Sequence, residues 1–169
     1  EKICSDKTIL DAFSNSGGFG LHAAKAGAKE ITFLDSSAGV IQSAKENFKL
    51  NEFSQNAEYI TDDVFDYFEK AITQKKSFDV VIVDPPAFAK NKKNLNQAKK
   101  GYEKLNRLAL SIINSGGFLV TSSCSYHLPE YEFISIINNA AAKSKKQIQL
   151  LHFNNASLDH PSLPSMNET

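Results

Sequence analysis

The chain's 169 residues carry 19 basic and 19 acidic side chains and are 41% hydrophobic, which suits one globular domain with a substantial core. No apolar run approaches the ~20 residues of a membrane span, and the opening Glu1-Lys2-Ile3-Cys4-Ser5-Asp6 lacks the apolar core of a secretory leader. Two distant cysteines, Cys4 and Cys124, and four histidines without ligand spacing, His22, His127, His152 and His160, argue against a disulfide scaffold and a metal site and point to a reducing, cytoplasmic setting.

Thr8 to Phe13 reads as a strand that ends in the glycine turn Ser16-Gly17-Gly18. A helix is predicted from Phe19 to Ala26, with Gly27 fitting its C-cap. Ile31 to Asp35 is a second strand. Val40, Ile41, Ala44, Phe48 and Leu50 are spaced for a helix over Ser37 to Leu50. A short strand over Glu58 to Thr61 and a helix over Val64 to Thr73 follow. The β-branched run Phe78 to Val83 predicts a strand buried on both faces of a parallel sheet, stopped by Asp84-Pro85-Pro86 because consecutive prolines cannot continue a ladder. A long helix is predicted over Leu95 to Asn114. Gly116-Gly117 then turn the chain into a strand over Phe118 to Ser122. A helix over Glu130 to Ala142 and a last strand over Ile148 to Phe153 complete the pattern.

The alternation predicts a doubly wound α/β domain with a mostly parallel sheet and helices on both faces. It reads as a single domain over residues 1–169, whose tail, 155–169, with Pro161 and Pro164, reads as loop. Since it opens without methionine, the chain is expected to be a fragment of a longer one. Charge divides unevenly: residues 1–89 hold 9 basic and 14 acidic side chains, residues 90–169 hold 10 and 5. Lys90, Lys92, Lys93, Lys99, Lys100, Lys104 and Arg107, with Glu103 alone against them, form either a solvated helix face or a phosphate-binding stripe.

Ligands of open α/β sheets bind beyond the carboxyl ends of the strands, and there the polar residues gather. Ser14-Asn15-Ser16-Gly17-Gly18-Phe19-Gly20 lets the backbone approach a ligand closely, or is a tight turn before a helix. Asp35 suits bidentate bonding to ribose hydroxyls, or an N-cap. Asp63 suits an adenine amino group, or again an N-cap. In Asp84-Pro85-Pro86-Ala87-Phe88, a stiff loop presents a carboxylate to the edge of a planar base, and Phe88 offers a stacking surface. Cys124, between serines at the end of a strand, is read as a nucleophile rather than a buried structural thiol. Gly18-x-Gly20-x-x-Ala23 with Asp35 also fits the dinucleotide fingerprint, so an NAD-dependent dehydrogenase stays open.

Asp11-Ala12-Phe13-Ser14-x-x-Gly17-Gly18-Phe19, Asp35-x-Ser37, Asn47-x-x-x-Asn51, Asp63-x-Phe65, Asp84-Pro85-Pro86-x-Phe88, Gly101-Tyr102, Ser123-Cys124-Ser125 and Asp159-His160-Pro161 occur in this order. The set resembles the class I S-adenosylmethionine-dependent methyltransferases, and within them the bacterial 23S ribosomal RNA cytosine-C5 branch. The resemblance implies a Rossmann-like fold that binds S-adenosylmethionine through Phe13, Ser14, Gly17, Gly18, Phe19, Asp35, Ser36, Asp63, Val64 and Asp84. It implies Cys124 and Asp84 as catalytic residues, and Pro85, Pro86, Phe88 and Lys90 against the substrate. The Cys124 thiolate would add to C6 of a flipped-out cytosine, making C5 nucleophilic, while Asp84 holds the base edge. A thiolate is required, so a lowered Cys124 pKa is expected in the complex.

Two departures accompany the resemblance. An N-terminal RNA-binding domain and a final strand after the Asp-His-Pro segment are expected in the family and missing from this sequence; a homodimer is compatible with it. Besides the dehydrogenase, two alternatives remain: a methyltransferase acting on a guanine nitrogen in RNA, which shares the Asp-Pro-Pro-x-Phe loop without needing the cysteine, and a non-catalytic cofactor-binding module.

Overall fold

A computed structural model describes residues 2–88, 92–125 and 127–154. Lys90, Asp159-His160-Pro161 and the expected loop 155–169 lie outside the described residues. Five strands, β1 (Thr8–Ala12), β2 (Glu30–Asp35), β3 (Asn56–Thr61), β4 (Phe78–Val83) and β5 (Ile113–Thr121), alternate with helices α1 (Gly18–Lys25), α2 (Ala38–Leu50), α3 (Val64–Thr73), α4 (Leu95–Ser111) and α5 (Glu130–Lys143). All strand pairs are parallel, in the order β3-β2-β1-β4-β5. The order reverses between β1 and β4, which is where a doubly wound sheet opens its crevice.

Apolar side chains on both faces make the central strands what they are. Ile9, Ile31, Phe33, Val80 and Ile82 pack with Ala23 and Ala24 of α1 and Ile41, Ala44 and Phe48 of α2. The alternate residues Leu10, Leu34, Val81 and Val83 have no exposed surface either, so the second face is covered as well. Full burial of such a side chain contributes roughly 1.5–3 kcal/mol. The register levels the strand ends: Ala12 lies opposite Leu34 and Val83, Asp35 opposite Thr61, and Val83 opposite Thr121.

The chain forms two compact units. The first runs from the chain start to Pro86 and includes Leu108–Ser122; the second comprises Ala87–Arg107 and the chain from Ser123 onward. The first holds the sheet. In the second, Ala98, Tyr102, Leu128 and Ile136 form a small core with Phe88, Leu95 and Phe133 packed on it.

Three expectations need correction. Residues 148–153 are not a strand: Leu150 and Leu151 are each 69% exposed. An alternating apolar segment becomes a strand only where another edge pairs with it, and among the described residues none does. Helix α4 stops at Ser111, three residues early, because β5 already begins at Ile113. Gly116-Gly117 lie inside β5 rather than before it, at an irregularity opposite Phe78 and Val80. There Gly116 has φ of +76°, and a Cβ on Gly117 would stand 2.6 Å from the Asp79 carbonyl oxygen, so the glycines accommodate a bulge.

Candidate active site

The turn after β1 concentrates left-handed backbone. Phe13, Asn15 and Gly17 have φ of +61°, +48° and +90°; for the two non-glycine residues this left-handed geometry costs energy that surrounding contacts must offset. Those contacts are present. Ser14 N–H donates to the Leu34 carbonyl (3.0 Å), Gly17 N–H to the Ser14 carbonyl (2.8 Å), Asn15 N–H to Asp35 Oδ2 (3.1 Å), and Asn47 Nδ2 to the Ser16 carbonyl (3.0 Å). A Cβ on Gly20 would come within 2.2 Å of the Phe33 ring, whereas Gly18 faces open space.

Asp11 lies in β1 directly before this turn and is completely buried. Its Oδ2 accepts from Gly20 N–H at 2.8 Å, so a strand carboxylate caps the first turn of α1, whose own N-cap is a glycine. Burial is the main cause that pushes the Asp11 pKa up to about 7; the Gly20 bond opposes it, and the charges of Asp84 and Asp35 add to it. Its Oδ1 and the hydroxyl of buried Ser14 have no partner among the described residues. Buried polar atoms of this kind call for a ligand or water.

The other strand ends in this unit present acids too. Asp35 spends Oδ2 on Asn15 and Oδ1 on Ser37 N–H (3.0 Å), though each carboxylate oxygen retains further acceptor capacity. Ser36 beside it is exposed. Asp63 Oδ1 accepts from Phe65 and Asp66 N–H at 2.8 and 3.2 Å and so is the N-cap of α3, one of the two readings open for it; Val64 is buried. Asp84, past β4, is exposed and bonded through Oδ1 to the hydroxyl of Ser122, past β5. Pro85 is buried and Pro86 exposed. Thus Ser14, Gly17, Asp35 and Asp84 gather with Asp11 along one rim.

In the second unit, Phe88 packs on Tyr102, with ring centroids 4.6 Å apart. Cys124 has an exposed thiol outside any disulfide. Its neighbour Ser125 is buried, with Oγ 2.8 Å from the Tyr102 hydroxyl. Lys100 and Lys104, one helical turn apart on α4, are exposed, while Lys99 pairs with Glu132 at 2.6 Å.

Sequence reasoning set Asp11 and Ser122 among the polar residues at the strand ends and quoted Asn47 and Tyr102 only within the motif set, with no role of their own for any of the four. Asp11 carried a signal, a lone acid in an otherwise apolar strand. The other three depend on contacts distant in sequence.

Comparison with known proteins identifies the relatives of the chain as a whole. The chain is 41% identical to ribosomal RNA large subunit methyltransferase I of Vibrio campbellii over 95% of its length and 41% of the relative's. It is 36% identical to the protein of that name in Cronobacter sakazakii, over 99% and 42%. It thus spans about two fifths of the length of the curated relatives it matches. In structure it resembles SMU.776, solved in complex with SAH, at a TM-score of 0.86 and 27% identity, covering 98% of this chain and 43% of that one. A SAM-dependent methyltransferase from Agrobacterium tumefaciens shares the fold at a TM-score of 0.69 and 23% identity, covering 80% of this chain and 44% of the other. Since residues 1–130 match it, the chain belongs to the family described as Conserved hypothetical protein 95.

Proposed function

We propose that this chain is the catalytic part of an S-adenosylmethionine-dependent ribosomal RNA methyltransferase that methylates C5 of a cytosine through a covalent bond to Cys124. The names of its relatives support the RNA substrate, and the SAH held by a structural neighbour supports the cofactor. The residues themselves fit that cofactor. An unpaired Asp11 Oδ1 and an unpaired Ser14 hydroxyl border a glycine turn, and Asp35 and Asp84 place further negative charge close enough to raise the Asp11 pKa. A ligand bearing an ammonium and a sulfonium suits such a rim. A pyrophosphate does not: Asp11 already takes the Gly20 N–H at the helix start, where a dinucleotide would put its phosphates.

Ser14, Gly17, Gly18, Phe19, Asp35, Asp63 and the backbone of Phe13, Ser36 and Val64 are assigned to holding it, with Asp84 at the reacting end. Bound S-adenosylmethionine would supply an electrophilic methyl group. Everything else falls to the chain and the base. The Cys124 thiolate forms an S–C6 bond and leaves the C5=C6 electron pair on C5. Asp84 accepts hydrogen bonds from the base edge and favours N3 protonation as charge develops. After substitution at C5, the C5 proton leaves to a base and the thiolate is expelled as the double bond re-forms. Pro85 and Pro86 stiffen the loop, Phe88 supports the base, and Lys90 with Lys100 and Lys104 is assigned to phosphates.

The observation that carries this reading is the exposed thiol of Cys124 in the segment that follows β5. Replacing Cys124 with alanine in the full-length protein should lower formation of 5-methylcytidine by more than about a thousand-fold while SAH affinity is kept. A variant that still methylates RNA at full rate, on a nitrogen, would falsify the cysteine mechanism.

A further inference from the structure

We propose that Tyr102 is a positioning residue that sets both the Cys124 loop and the Phe88 ring; this rests on the cytosine-C5 reading of Cys124. Tyr102 has no exposed surface and is among the largest fully buried side chains. Its hydroxyl lies 2.8 Å from Ser125 Oγ, on the residue directly after Cys124. Ser125 N–H in turn donates to Ser123 Oγ at 3.3 Å, and its carbonyl accepts from Leu128 N–H at 2.9 Å. The backbone on both sides of the thiol is therefore tied, and the Tyr102 hydroxyl ties it to α4.

The ring of the same residue supports Phe88 at 4.6 Å and meets Phe133 edge-on at 5.6 Å. Gly101 gives the Phe88 ring room, since a Cβ there would stand 3.1 Å from Phe88 Cδ2 and the ring would have to shift by a few tenths of an ångström. Asn106 Nδ2 donates to the Tyr102 carbonyl at 2.9 Å from a buried position. A purely space-filling role needs no hydroxyl, and burying one requires a partner. The partner here is the loop that carries the nucleophile, so Tyr102 acts on the reaction through Cys124 and Phe88 and touches no reacting atom itself.

The test follows how fast Cys124 forms its adduct with 5-fluorocytosine RNA in the full-length protein, with S-adenosylmethionine present. Tyr102→Phe keeps the ring and removes the hydroxyl. The expected result is an adduct rate lower by about ten-fold, the factor for one net hydrogen bond, with SAH affinity held within about two-fold. Ser125→Ala should give at least that loss, and adding Tyr102→Phe to it should cost no more, because both remove the same contact. Gly101→Ala, a favoured change within a helix, should also slow the adduct by displacing Phe88. Wild-type adduct rates in Tyr102→Phe, or losses that multiply in the double variant, overturn the positioning role and leave the cytosine reading standing. Turnover by the wild-type protein with no adduct at all overturns both.

Discussion

Asp11 shows how a single carboxylate can be structural and electrostatic at once. Held at a pKa of about 7, mainly by burial, it keeps a proton in the folded protein at pH values where the unfolded chain, near 3.8, has released it. The folded state then binds more protons, so stability falls as pH rises from about 4 to about 7 and levels off above. The effect is on the order of a few kcal/mol. Asp11→Asn can still accept from Gly20 yet does not titrate. Its urea midpoint should change less between pH 5 and pH 8 than that of the wild type; equal changes would assign the slope to another group. At this scale the sequence was legible where chemistry is local. Asp35 and Asp84 stand out by residue type at or just past a strand end, and Cys124, expected to end a strand, stands three residues past β5. Asp63 was ambiguous because an N-cap and a ligand contact demand the same side chain, and its Oδ1 does cap α3. Tyr102 stood in the motif set, but its contact was illegible, because its hydroxyl partner is 23 residues away.

Among the elements, the sheet was readable from its apolar runs, and β4 and α3 lie where the pattern put them. Errors fell where pairing overrides propensity. Residues 148–153 alternate like a strand without a described partner, and β5 absorbs two glycines as a bulge. The glycine turn is the element on which the site depends most. Gly20 lies against the Phe33 ring, which is itself stacked on Tyr59 at 5.3 Å and edge-on to Phe48 at 6.0 Å. That ring has no room to give. Gly20→Ala should therefore cost about 1–3 kcal/mol through overpacking, despite the better helix propensity of alanine. A chemical-denaturation midpoint equal to the wild type would show that the ring can move.

For the whole molecule, zero net charge conceals a division between an acidic first part and a basic second part. No described helix is long and apolar enough to cross a membrane. The doubly wound fold was legible because β-α alternation leaves few topologies open, and the observed order β3-β2-β1-β4-β5 is one of them. The proposed hold on RNA phosphates is assigned in part to α4. Removing Lys100 and Lys104 together should reduce the slope of log affinity against log salt by about 1–2, at roughly 0.7–0.9 per phosphate contact, with SAH affinity unaltered. An unchanged slope would return these lysines to the role of a solvated face.

The proposed chemistry converges on one sulfur atom. The most direct measurement is peptide mass spectrometry of the full-length protein after turnover with 5-fluorocytosine RNA and S-adenosylmethionine. The expected result is a methylated nucleotide linked to the peptide that contains Cys124. Methylation without any linked peptide, or a link to Cys4 instead, would contradict it.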